Sequence, residues 1–176
     1  MRQDELERLH ARLERPLYNV AFRWTWNPDD ASDLVQEAFA RLWEMRGRVR
    51  LDGVEPLVYR ILLNLVASRR RSRRVWRWVS LHALRGNPPE ESSAEERLAA
   101  RDRRTEVREA VESLPDELRS VVVLCECTGL TYDEVAEILG IPTGTVGSRR
   151  HRALRLLRER LGTTETRHER TAPGTV

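Results

Sequence analysis

The sequence predicts an all-α protein made of two small helical domains joined by a flexible linker. Three observations carry this expectation. No stretch sustains the period-two alternation of a half-buried strand, whereas apolar residues recur every three to four positions in successive segments. A polar, acidic, turn-prone stretch, GNPPEESSAEE from Gly86 to Glu96, divides the chain. A length of 176 residues accommodates two small domains, with 40% hydrophobic residues for their cores and 34% charged residues for an ionic surface.

The first helix is read from Leu6, Leu9, Leu13, Leu17, Val20, Ala21 and Trp24, with Pro16 expected to kink or divide it. Asn27-Pro28-Asp29-Asp30 is a turn expected to supply a carboxylate cap for a helix over about Ala31 to Met45. In that helix Leu34, Val35, Ala38, Phe39 and Leu42 form the buried stripe. Asp33, Gln36, Glu37, Ala40 and Glu44 share another face beside Trp43, which fits either a solvated polar face or a partner-binding edge. After a loop over Arg48 to Glu55, a largely apolar helix begins near Pro56, with Tyr59, Arg60 and Asn64 as its polar exceptions. It ends in SRRRSRRVWRW, where basic residues alternate with tryptophan. That composition packs a core poorly and suits phosphate contact and base stacking. A membrane-surface role is less well served, because the run is short and has no regular apolar face.

Past the linker, a helix is expected from about Glu95 or later to Glu112, and another opens at Pro115-Asp116-Glu117 and ends at Gly129. Thr131 and Glu134 have the spacing of a capping box, with Val135, Ala136 and Leu139 facing inward. Gly140 ends that helix, Ile141 plugs the turn, Thr143 is expected to cap the next helix, and Val146 packs back on Ala136. Small residue, glycine and β-branched residue at this spacing describe a helix-turn-helix. Its second helix carries Thr145, Ser148, Arg149, Arg150, His151 and Arg152, donors and short hydroxyls suited to base edges and phosphates. Arg155, Arg158 and Arg160 serve DNA contact or the helix dipole equally well. The tail beyond Gly162 is expected to be disordered.

Several function classes lose their support at this stage. All 31 basic residues are arginine; that usage fits phosphate recognition and equally a GC-rich genome, so placement has to decide. The N-terminus lacks the apolar core of a signal peptide and no run approaches the ~20 apolar residues that span a bilayer, so a cytoplasmic protein without membrane insertion is expected. Cys125 and Cys127 alone cannot complete a tetrahedral zinc site, and they read as buried thiols or as a redox pair. His151 has no partner at ligand spacing. Without a nucleophile–base pair or a glycine-rich phosphate loop, neither an enzyme, a metal nor a cofactor is expected.

DDASDLVQEAFARLW, EPLVYRILLNLVASRRRSRR and SLPDELRSVVVLCECTGLTYDEVAEILGIPTGTVGSRRHRA together resemble a bacterial sigma factor of the extracytoplasmic-function type, in the sigma-70 family. The first two blocks are similar to its region 2 and the last to its region 4. The resemblance implies region 2 over 1–80, a linker over 81–103, region 4 over 104–162 and a tail over 163–176. It implies a non-enzymatic subunit that directs core RNA polymerase to promoters of a stress or envelope-type regulon. Asp33, Gln36, Glu37 and Trp43 would then meet the clamp helices of the largest polymerase subunit. Asn64 and the loop around Val49 to Val54 would take the non-template strand of the minus-ten element, with Arg60, Arg69, Arg70, Arg71, Arg73 and Arg74 on phosphates. Thr143, Thr145, Ser148, Arg149, His151 and Arg152 would face the minus-thirty-five element. Many relatives are held inactive by an anti-sigma factor, which can also hold them at the membrane. Leu57, Leu63, Gly147 and Arg150 depart from the family pattern: tryptophan, a polar residue, a basic DNA contact and a packed aliphatic residue are usual at those positions. The alternative reading is a stand-alone helix-turn-helix transcriptional regulator.

Overall fold

The computed structural model describes the backbone of residues 2–49, 53–76 and 94–169, and the side chains of 2–49, 53–71 and 102–162. Seven helices account for the ordered elements among them: α1 (Gln3–Thr25), α2 (Pro28–Glu44), α3 (Val54–Trp76), α4 (Ala94–Glu112), α5 (Asp116–Thr128), α6 (Tyr132–Leu139) and α7 (Thr143–Glu169). Helices α1 to α3 form one lobe and α4 to α7 a second.

Helix α1 is continuous through Pro16. Proline removes one N–H from the helix ladder, but Leu13, Leu17, Val20 and Ala21 on both sides of it are buried against neighbouring helices, which keeps the helix undivided there. Trp26 stops the helix in a left-handed conformation (φ 53°), its N–H donating to the Phe22 carbonyl at 2.7 Å. The cap of α2 is Asn27, not a carboxylate: its side-chain oxygen accepts from the Asp30 N–H at 3.0 Å, with Pro28 in the first turn where no N–H is needed. Helix α3 starts two residues ahead of Pro56, which again lies within the first turn.

Two expected boundaries move in the second lobe. Helix α4 is already formed at Ala94, inside the expected linker, and α7 passes Gly162 to reach Glu169. Residues 77–93 and 170–176, with Trp78 of the basic-aromatic run and most of the expected linker, lie outside the described residues. Gly129 does end α5 with φ 75°, as the sequence predicts.

The lobes do not stand apart. Helix α1 packs on α5 and α3 packs on α6, so the buried residues of both lobes form one contiguous apolar cluster from Leu9 to Ala153. At the junction the Arg119 side chain of α5, 2% exposed, donates to the Arg23 carbonyl at the end of α1 at 2.6 Å. Its guanidinium lies 4.2 Å from the ring centre of Trp24, and Arg70 of α3 lies over the same ring at 5.1 Å. Arg70 also pairs with Asp116 at the start of α5. Burial, and then the nearby Arg70 charge, pull the Arg119 pKa down to about 10, which leaves it protonated at neutral pH.

The Thr131 cap is the local interaction most open to a clean test. Replacing Thr131 with Ala removes the hydroxyl that accepts from the Glu134 N–H and donates to its carboxylate, and leaves only the backbone half of the box; it is expected to cost about 1 kcal/mol in urea unfolding. A change within experimental error would show that α6 is held by packing alone.

Candidate nucleic-acid interface

The second lobe builds a helix-turn-helix from its caps upward. The Thr131 N–H donates to the Glu134 carboxylate at 2.7 Å, and the Glu134 N–H returns a bond to the Thr131 hydroxyl at 3.3 Å. The N–H bond, and with it the Thr131 hydroxyl donating to the same carboxylate at 2.8 Å, holds the Glu134 carboxyl below its usual pKa. Gly140 takes φ 65°, which lets the Ile141 N–H reach back to the Ala136 carbonyl at 3.1 Å. Val135, Ala136, Ile138, Val146 and Ala153 are buried where the two helices cross. Ile138 takes the inward place expected for Leu139, which is half-buried, because the short α6 is rotated toward both α3 and α7.

Helix α7 begins at Thr143 itself, and the Pro142 carbonyl accepts its first N–H bonds, from Thr145 at 2.9 Å and Val146 at 3.2 Å. Thr143 therefore does not cap the helix; its hydroxyl donates to Asp133 at 2.7 Å. Thr145 is half-buried, and Ser148 is exposed with its hydroxyl on the Thr145 carbonyl at 3.1 Å. Arg149 pairs with Glu117 of α5 at 3.3 Å. His151 and Arg152 are exposed and have no bonding partner among the described residues. Arg150 turns away from them to hold Glu126 of α5 at 2.7 Å and the Tyr132 hydroxyl of α6 at 3.2 Å. The Glu126 bond is the main cause of its raised pKa.

The basic end of α3 splits three ways, because successive helical residues point about 100° apart. Arg69 reaches α2, where it lies 3.6 Å from Asp30 and 3.5 Å from Glu37. Arg70 is taken up at the lobe junction. Arg71 is exposed, and with Arg60, Asn64 and Ser68 it completes an exposed stripe along one face of α3. The side chains of Arg73 and Arg74, and loop residues 50–52, lie outside the described residues. Gly53 follows the loop with φ 83°.

On α2, Asp33, Gln36 and Ala40 are exposed and run beside the half-buried Trp43, whose ring carries the Arg46 guanidinium at 4.4 Å. Glu37 is half-buried and shared between Arg41, at 2.7 Å, and Arg69. It ties α2 to α3 as well as facing outward.

Sequence reasoning gave no arginine partner to Tyr132, Glu117, Glu126 or Trp24, each of which holds one of the arginines in place. Only Tyr132 had a visible signal, its place directly after the capping threonine. Cys125 and Cys127 are free and half-buried, and burial raises the Cys125 pKa, which keeps that thiol protonated and weakly nucleophilic at neutral pH. No cluster able to hold a metal ion, and no helix long and apolar enough to cross a membrane, occurs among the described residues.

Comparison with known proteins shows what the two lobes are similar to. Residues 9–75 match the family description "Sigma-70 region 2" and residues 104–157 match "Sigma-70, region 4". The chain is 36% identical to the ECF RNA polymerase sigma factor SigE of Mycolicibacterium smegmatis over 159 residues, which cover 90% of this chain and 61% of that protein. It thus spans less than two thirds of that relative. Identity to the ECF RNA polymerase sigma factor SigL of Mycobacterium tuberculosis is 34% over 154 residues, 84% of this chain and 85% of the relative. In fold the chain is similar to the sigma factor RpoE from Bartonella quintana, solved with the anti-sigma factor NepR (TM-score 0.69, 23% identity, 92% of this chain and 98% of that one). It is also similar to CnrH, solved with the cytosolic domain of CnrY (TM-score 0.68, 24% identity, 92% and 90%).

The three-way split of the basic run makes its arginines unequal. Replacing Arg71 with Ala is expected to flatten the salt dependence of single-stranded DNA binding by about 0.7 in log–log slope, and Arg69→Ala by less than half of that. Equal slopes for the two variants would show that the α2 pairs leave Arg69 as available as Arg71.

Proposed function

Because the chain belongs to the sigma-70 family, as a factor of the ECF type, we propose that it binds core RNA polymerase and directs it to promoters, where it takes part in opening the DNA. The observation that carries this reading is the presence on one chain of two separate exposed surfaces rich in arginine and other donors. Helix α7 offers donors for the duplex at the minus-thirty-five element, and the Arg60–Asn64–Arg71 stripe of α3 suits an unpaired strand at the minus-ten element. Asp33, Gln36 and Trp43 on α2 form the polymerase-facing strip, with Glu37 beside them. A stand-alone helix-turn-helix regulator would use α6 and α7 only and would leave the faces of α2 and α3 without work.

The chain contributes binding energy rather than bond chemistry. Unpaired bases held on α3 are withdrawn from the duplex, and the arginines neutralise phosphates alongside them. The two elements are, by their positions, about 25 nucleotides apart, which at 3.4 Å per step is roughly 85 Å. Lobes that share one apolar cluster cannot occupy both. The packed arrangement is therefore a resting state, and engagement of the promoter parts Arg119 from the end of α1 and Arg70 from Asp116. Arg70 is then released to meet phosphate. The RpoE and CnrH structures each hold a second protein, and we extend to this chain an anti-sigma partner that favours the resting state. Such a partner could also keep it at the membrane.

Reconstitution with core polymerase and a library of promoters tests the reading: transcripts should start downstream of one shared pair of sequence elements. Failure to bind core polymerase would overturn it. Within that assay, Asp33→Ala combined with Gln36→Ala is expected to weaken core binding about tenfold or more without changing thermal stability, since both side chains are exposed. Unchanged core affinity would move the polymerase contact away from α2.

A further inference from the structure

Unfinished bonding collects at the end of α1. The Arg23 carbonyl receives no backbone N–H, because that of Asn27 goes to the Thr25 hydroxyl at 3.4 Å. The Trp24 carbonyl would take the N–H of residue 28, which is Pro28 and has none. One amino nitrogen of Arg119, Nη2, serves both carbonyls, at 2.6 Å and 3.5 Å. The buried side-chain polar atoms without a partner among the described residues are Trp24 Nε1, Trp26 Nε1 and Arg119 Nε, and their residues all belong to this junction. Trp26 is also the one non-glycine residue with positive φ among them, at 53°. A bulky residue in that conformation carries strain, and such strain collects at functional sites.

The present occupant shows what the place can hold. Arg119 offers a flat face to the Trp24 ring, 4.2 Å from its centre, and an NH₂ group to two carbonyls. A nucleobase with an exocyclic amino group offers the same two features, a flat face and an NH₂ on its edge. Thymine has the face but no amino group. Arg70 lies over the same ring at 5.1 Å and is the neighbour in sequence of Arg71, where the exposed stripe of α3 ends. Once free of Asp116, Arg70 stands where the phosphate of a base on Trp24 would lie. Trp24 is only 8% exposed while Arg119 covers it, so the place opens when the lobes part.

We propose that the end of α1 is a further nucleobase subsite: an amino-bearing base of the unpaired strand stacks on Trp24 and donates to the Arg23 and Trp24 carbonyls, with its phosphate on Arg70. Arg119 is the internal stand-in for that base in the packed state. The inference rests on the sigma-factor reading and on the parting of the lobes, and it carries the strand one nucleotide past the α3 stripe.

The test uses holoenzyme assembled from core polymerase and the full chain, bound to fork-junction DNA whose unpaired minus-ten strand carries one abasic nucleotide at a time. With the unmodified chain, an abasic nucleotide at one position at the Arg71 end of the stripe is expected to weaken binding about fivefold or more. Thymine there should bind about threefold more weakly than cytosine. In Trp24→Leu the abasic penalty should vanish at that position and persist at the others. Trp24→Phe, which keeps a smaller ring and spares the fold more, should lower the penalty at that position only. An abasic profile unchanged in both variants would overturn the proposal. A loss uniform over all positions would also overturn it, since Trp24 would then only support the lobe. Equal binding of thymine and cytosine would remove the carbonyl contact and the stand-in role of Arg119 with it. Failure of the unmodified holoenzyme to bind any fork template would instead bring down the underlying reading.

Discussion

The arrangement of the whole chain depends on one buried cation. Arg119 enters the junction between the lobes almost free of solvent, and burial alone would make its charge costly. The cost is offset by what α1 presents there. The end of a helix carries carbonyls with no partner in their own ladder, and the Arg23 carbonyl accepts from Arg119 while the face of Trp24 takes the guanidinium plane. The Trp26 cap, in its left-handed conformation, turns the chain away at this point and leaves those carbonyls accessible. Around this polar centre, Leu118, Val121 and Val122 of α5 join the cluster that contains Leu17 and Val20 of α1. Part of the bonding is incomplete: the Arg119 Nε and the Trp24 Nε1 have no partner among the described residues. A junction of this kind specifies one docking geometry without maximising its strength, which suits the proposed separation of the lobes.

The arginines near the proposed DNA surfaces show the same economy. Arg69, Arg70, Arg149 and Arg150 are each paired with a carboxylate of a neighbouring helix. Exposed pairs are worth about 0–1 kcal/mol each, so phosphate can displace the carboxylate at little cost. Meanwhile the pairs keep long side chains ordered and near their working positions, which lowers the entropy lost on binding. Arg150 is the exception, because its two partners lie on two other helices and fix it against α7. Carboxylates from α5 and α2 thus occupy the arginines in the packed state that nucleic acid is expected to occupy in the open one.

Local features were legible in the sequence wherever a short-range interaction determines them. The Thr131–Glu134 box, the positive φ of Gly140 and Gly129, and the meeting of Ala136 with Val146 all follow from residues within one helix pair. Features set by distant partners were not legible. Arg119 looks like a solvated exception in an apolar helix, and its acceptor lies 96 positions earlier in the chain. The run from Arg69 to Arg71 reads as one basic patch, yet three adjacent side chains find three environments because the helix turns beneath them. Pro16 predicts a kink or a division, of which burial on both sides prevents the division, and the pattern around Leu139 could not tell which of two neighbouring apolar residues would face the core. The sequence showed which residues could contact nucleic acid; tertiary pairing decides which are free to do so.

The central claim is that the packed lobes are a resting state that separates on a promoter. The most direct measurement is the distance between a genetically encoded label at Arg15 on α1 and another at Glu159 on α7, both exposed positions. In the free chain the account predicts a single short distance. On promoter-bound holoenzyme it predicts a lengthening by several tens of ångströms, roughly as far as the spacing of the two elements demands. The same short distance in both states would contradict it.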